Sequence, residues 1–567
     1  MDRLPQELID RITSYLDDDA LESTLTVSRK FNIATEIKSE IWERYSVDGS
    51  DIDMFLKLYN NHRFRYLTDL TFTTSFPPLE VPPWIQEVED NGGDIDAPEW
   101  EETACRDTAD DLRALDEGFT HQINSLFTTL KIIEDGIGKV HDFGRIDLKI
   151  STPTRDVDYW YCIHRRTVCW RIHLLSPETL PRLSTIRSLN FQHDDSDNTI
   201  VCISNATSFK VDPRVLLDMV VKLPNLEHLR SNLWEDGWEA NKKCDGVKYA
   251  TREWEGPRRD ARNDFVKAFQ TAVLPKSLKE VMLCFRGLFG MSWDIDQCQE
   301  LPNLISPAPY DLFSSSLHIL SHQLRKLQLH VMADETLFWP VNCGDNEPSW
   351  PNLESLNVMF HMATPKGGWY FHGPEGNGRA VEGFEVTEAS YPPLGLNDMD
   401  RDWHRRPMNP GIWTVSDNRH FRVVPNEELL LPFLNAFAKA ASHMPLLKDA
   451  VLWSPLEYSE GVSKDSDTFF DNQKGFSSFS GLKKSWGIAY VAPGAYAFDT
   501  VLKHVSKKRY SDYRRLWWMV GKWRPNFELH SLFQQIGRRA SPEKLKEYWK
   551  DDLVGYRTLG VCDHSER

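Results

Sequence analysis

The chain has 567 residues, too many for one ordinary core, and its 41% apolar and 26% charged residues, with 20 Trp, 29 Phe and 17 Tyr, are those of a folded chain. A formal net charge of -18 argues against general nucleic-acid binding, and nine cysteines without any Cys-x-x-Cys spacing fit a reducing compartment. No apolar run approaches the roughly 18 residues of a membrane span and no signal-peptide core follows Met1, so no membrane partner is expected and the location expected is cytoplasmic or nuclear.

The N-terminus reads LPQELIDRITSYL, with Leu4, Leu8, Ile12 and Leu16 recurring every four positions, Ile9 and Tyr15 widening the stripe, and Gln6, Asp10, Arg11 and Thr13 facing the other way. Pro5 suits the first turn of such a helix, where a missing N–H costs little. Asp17-Asp18-Asp19 offers a cap for a second helix; Leu21, Leu25 and Ser28 with Val27 and Phe31 give its stripe, and Ile37, Ile41 and Trp42 give a third. Three short helices in about 45 residues sit near the lower limit for independent folding, so a partner's surface, or the next domain, should complete their core.

The pattern Leu4-Pro5-x-Glu7-Leu8, Ile12, Tyr15-Leu16, Leu21, Val27-Ser28-Arg29, Phe31 and Trp42 resembles an F-box, with Ala20 where the family often has Asp and Phe31 where Trp is common. Taken with the rest of the chain, it is similar to fungal F-box proteins of comparable length. The resemblance implies docking of residues 1–47 to a Skp-type adaptor, itself held by a cullin scaffold in a ubiquitin ligase. It also implies Leu4, Pro5, Leu8, Ile12, Leu16, Leu25, Val27 and Phe31 as adaptor contacts.

Residues 48–140 read as a helical linker containing an acidic loop over 80–117, where 14 Asp/Glu face two Arg. From 141 to 567 a Leu-x-x-Leu-x-Leu signature recurs after helix-like segments. Its copies begin at Ile186, Leu226, Leu278, Leu324, Leu353 and, more weakly, Leu447, with helices such as DPRVLLDMVVKL and LLPFLNAFAKAA between them. The fold class expected is therefore α/β: a three-helix F-box followed by an irregular leucine-rich-repeat-like α/β solenoid. The copies stand 29 to 94 residues apart, wider than the roughly 20–29 of regular leucine-rich repeats, which leaves unrelated αβ units in one compact sheet as the alternative. A long insertion at 361–425, rich in Gly, Pro and aromatics, reads either as a loop on the binding face or as a structural flap. SWGIAYVAP and RRLWWMVGKWRPNFELHSLF read as two apolar strands and a helix.

Motifs of chemistry fail on inspection. Gly376-Asn-Gly378 lacks a preceding strand and has Val381 where a dinucleotide loop needs Gly, and Gly475-Phe-Ser477-Ser-Phe479 lacks the last glycine of a nucleophile elbow. Cys162, His164, Cys169 and His173 have a metal-like composition, yet along a hairpin His173 would lie about 13 Å from Cys169, too far for one ion. Basic residues from Lys507 to Arg515 beside Trp517 and Trp518 imitate a nucleic-acid face but flank what reads as a buried strand. No cofactor, metal or catalytic residue is assigned. The expected function is a non-catalytic substrate receptor holding a target protein in the repeat domain. The alternatives are an adaptor-bound scaffold outside a cullin ligase, or an enzyme with a site in 361–425.

Overall fold

The computed structural model describes residues 4–555 except 50, 61, 78–106, 138–143, 157–169, 193–205, 234–253, 286–296, 342–346, 380–381, 394–396, 399–419, 457–483, 496–511, 543 and 552. It is a mixed α/β protein with ten α-helices and one large, mostly parallel sheet among the described residues.

Thirteen strands build that sheet: β1 Arg44–Asp48, β2 Asp69–Thr73, β3 Ile146–Ser151, β4 Ile186–Gln192, β5 His228–Asn232, β6 Glu280–Cys284, β7 Lys326–Val331, β8 Ser355–Phe360, β9 Asp449–Leu456, β10 Lys484–Val491, β11 Arg514–Met519, β12 Leu545–Trp549 and β13 Val554–Gly555. From β1 to β12 they lie side by side in chain order, and β13 pairs back on β10. Every junction from β1 to β9 is parallel, β10 runs antiparallel to both β9 and β11, and β12 is parallel to β11.

The recurring apolar signature sets the register, because side chains alternate across a strand and neighbouring copies must present the same position to the same face. One row runs Leu70, Leu148, Leu189, Leu229, Val281, Leu327, Leu356 and Ala450, each opposite the next. Two residues on, a second row runs Phe72, Ile150, Phe191, Ser231, Leu283, Leu329, Val358 and Leu452. Just before the strands a relay of amides fixes the same alignment: Glu227 N donates to Arg187 O, Lys279 N to Glu227 O, Arg325 N to Lys279 O, Glu354 N to Arg325 O and Lys448 N to Glu354 O, all at 2.7–2.9 Å.

A parallel connection needs a crossover, and helices supply most of them. After α1–α3, described below, come α4 Ile52–Tyr59, α5 Ala109–Ile137, α6 Arg214–Val220, α7 Glu255–Thr271, α8 Leu312–Ser321, α9 Glu427–Ser442 and α10 Phe527–Gln535. Buried residues of these helices, such as Phe119, Leu216, Phe265, Leu317, Phe437 and Phe533, form one continuous core with the apolar residues of both strand rows, Ser231 being the polar exception. At alternate strand positions Cys284, Met359, Trp453 and Trp517 are buried too but stand outside that core, on the opposite face of the sheet. No helix among the described residues is long and apolar enough to cross a membrane.

The structure differs from the sequence reading in two places, and in a third it favours one of the two readings given for 361–425. Residues 48–140 are not solely a helical linker: β2 lies within them and β1 ends at Asp48, so the sheet starts before 141. The acidic stretch 80–117 does not end as a loop, since α5 starts at Ala109 and carries Asp110, Asp111 and Glu117; residues 80–106 lie outside the described residues. The described parts of 361–425 pack as a flap. Met362, Trp369, Tyr370 and Phe371 enter the core, the Tyr370 hydroxyl donates to Ala333 O at 2.8 Å, and Phe371–His372 pairs with Val424–Pro425. Tyr391 straps the flap onto α7, donating to Asp260 at 2.7 Å and accepting from Arg259 at 2.8 Å.

Candidate protein-docking surface

The first helices are α1 Gln6–Thr13, α2 Asp18–Thr24 and α3 Arg29–Lys38. Local chemistry sets their ends. Pro5 precedes the first turn of α1, Asp17 caps α2 by accepting from Ala20 N at 2.9 Å, and Ser28 caps α3 by accepting from Phe31 N at 3.4 Å. Gln6 and Lys30 close the α1–α3 contact: the Gln6 amide donates to Lys30 O and the Lys30 ammonium to Leu4 O. Between α2 and α3 the hydroxyls of Thr24 and Thr35 meet at 2.6 Å.

These helices have a core of their own, and it is small: Ile9, Phe31 and Ala34, with Leu4 packed against it. It is separate from the core beneath the sheet. Ile9 and Thr13 are the buried residues of α1, so Leu8, Ile12 and Tyr15, which share the face spaced i, i+4 and i+7, turn outward. Leu8 is 49% exposed, Ile12 42% and Tyr15 77%. Leu25, Val27, Ile37 and Ile41 are exposed as well. Of seventeen exposed large hydrophobic residues among those described, seven fall between Leu8 and Ile41, a density that scattered surface apolar residues do not produce.

The residues expected to touch an adaptor divide accordingly. Leu8, Ile12, Leu25 and Val27, with Pro5, are on the surface, whereas Leu4 and Leu16 are half-buried. Phe31 is a correction: it is buried in the small core, because Ser28 opens α3 just before it and turns its ring toward α1. Tyr15, Ile37 and Ile41 join the exposed set, and their apolar character in the sequence was the only signal for them.

An ionic latch fixes this unit to the rest. Glu36 of α3 is buried and accepts from the Arg63 guanidinium at 3.0 and 2.7 Å and from the His62 Nε2 at 2.9 Å. The Arg63 guanidinium also lies 4.1 Å over the Trp42 ring, and Trp42 packs on the sheet's core. The Tyr59 hydroxyl donates to Trp42 O at 3.2 Å, and burial pushes its pKa up to about 12. The exposed face is thus presented at a set orientation.

The cysteine–histidine cluster does not assemble from what is described. Cys162, His164 and Cys169 lie outside the described residues. His173 is committed elsewhere: its ring stands 3.6 Å from an Asp116 oxygen and 3.5 Å from an Asp212 oxygen. Burial alone would lower its pKa, but hydrogen bonds to the two carboxylates outweigh burial and raise it to about 10. Among the described residues no group of three or more His, Cys, Asp or Glu side chains is arranged to hold a metal ion. The chain matches no protein-family model and no curated protein at a significant level.

Proposed function

We propose that this chain is a non-catalytic substrate receptor of a Skp–cullin–F-box ubiquitin ligase, working in the cytoplasm or nucleus. In this reading α1–α3 are the F-box and give their exposed apolar face to a Skp-type adaptor that a cullin holds. The chain-ordered sheet and its single layer of helices are a degenerate leucine-rich-repeat-like solenoid that holds the target protein. The observation that carries the reading is the density of exposed apolar side chains on a unit with so small a core. That combination costs solubility unless a partner covers it. The Glu36–Arg63 latch supports it by keeping the docking face rigid against the sheet. The chain's contribution is proximity: both proteins held on one assembly turn a bimolecular encounter into an intramolecular one.

The test uses the full chain and a Leu8→Asp/Ile12→Asp variant, each probed for co-purifying Skp-type adaptor and cullin. Two charges in a desolvated apolar interface should weaken adaptor binding by at least about 100-fold without unfolding the sheet. Loss of both partners from the variant alone supports the proposal. Adaptor bound without cullin makes the chain a scaffold outside a cullin ligase, and absence of both from the unmodified chain refutes the F-box reading.

A further inference from the structure

His318 and His322 stand four residues apart at the C-terminal end of α8, on the helix layer and away from the docking face. Their Nε2 atoms are 3.2 Å apart while the ring centroids are 4.7 Å apart, so the two rings converge at their Nε2 vertices. The planes are close to perpendicular, at 79°. Two imidazole nitrogens bound to one tetrahedral zinc ion at 2.0–2.1 Å stand about 3.3 Å from each other. The pair therefore already holds the separation a chelate needs, on the i, i+4 helical spacing that puts two imidazoles on one face.

Trp350 walls the pair edge-on, at 5.4 Å from His318 and 5.2 Å from His322, and is itself fixed by donating its Nε1–H to Ser321 Oγ at 2.6 Å. The His318 Nδ1 atom is buried without a hydrogen-bond partner. His318 is buried and His322 half-buried, which leaves the His322 side as the way in from solvent.

We propose that His318 and His322 form a chelating site for a borderline divalent metal ion of the Zn2+, Ni2+ or Cu2+ class. Nitrogen donors select against Mg2+ and Ca2+, which prefer oxygen. No third His, Cys, Asp or Glu joins the pair among the described residues. Without metal, one ring donates its Nε2–H to the other; on binding, that proton moves to Nδ1 of the same ring, and both imidazoles stay neutral.

The test is a Zn2+ titration of the full chain by calorimetry, beside His322→Ala. The expected result is one site in the unmodified chain that weakens at least tenfold in the variant. Carbethoxylation of the unmodified chain by diethyl pyrocarbonate, with and without Zn2+, gives a readout that needs no variant: His322 should be protected by the ion. Equal Zn2+ binding by both chains, or His322 labelling unchanged by Zn2+, overturns the proposal and leaves the pair a packing hydrogen bond.

Discussion

Two adjacent apolar residues of α1 should respond very unequally to the same truncation. Ile9 is wholly buried in a core of three residues, so Ile9→Ala deletes packed methyl groups and leaves a void that costs about 3 kcal/mol. Leu8 is already 49% exposed, so Leu8→Ala forfeits only part of its contact and opens no cavity, about 0.5–1 kcal/mol. Native-state hydrogen exchange resolves the difference because it reads local opening amide by amide. Ile9→Ala should raise exchange of the α1 and α3 amides by roughly a hundredfold, at 1.4 kcal/mol per factor of ten, and Leu8→Ala by no more than about fivefold. Amides of β4 to β9 should be unchanged in both, since the two cores are separate. A larger effect from Leu8→Ala would invert the assignment of the two faces of α1. Propagation of the Ile9→Ala effect into the sheet would refute the independence of the small core.

Stability should fall as pH rises toward 10 through His173. Its folded pKa of about 10 exceeds the ordinary 6.5, so its contribution is complete below about pH 6.5 and is lost as pH climbs through 10; urea unfolding of His173→Gln between pH 6 and 10 should show a flatter profile. Gly487 sits mid-strand in β10, where a methyl group would come within 2.8 Å of Trp453 Cβ and 2.9 Å of Leu452 O, both immobile in the packed sheet. Gly487→Ala should therefore lower unfolding stability by about 1–3 kcal/mol, and an unchanged denaturation midpoint would contradict that packing.

The strands from β4 to β9 were legible because Leu-x-x-Leu-x-Leu states both the alternation of a strand and, by repetition, its register. The first copies were not. Leu67-Thr-Asp-Leu70-Thr-Phe72 carries the same signature, with Leu67, Leu70 and Phe72 buried, but the next strand among the described residues begins at Ile146, beyond the acidic stretch and the 29 residues of α5. Periodicity broken by so long a connection stops reading as repetition. In α1 the four-residue stripe was legible but its direction was not. With apolar Leu8 and Ile9 adjacent, spacing alone does not say which one faces inward, and Leu4 and Leu16 fall outside the helix. The Glu36–Arg63 latch spans 27 residues and the His173 pairing with Asp116 spans 57, and contacts between distant charged residues leave no periodic trace.

The chain-ordered sheet has a consequence for synthesis. Every strand from β2 onward pairs with one that precedes it in the chain, including β13, which returns to β10. A polypeptide leaving the ribosome N-terminus first thus never waits for a hydrogen-bonding template that has yet to be translated. Each newly emerged segment extends an existing edge, and the exposed, aggregation-prone edge moves along with translation until β12, with Lys546 among its exposed positions, ends the series.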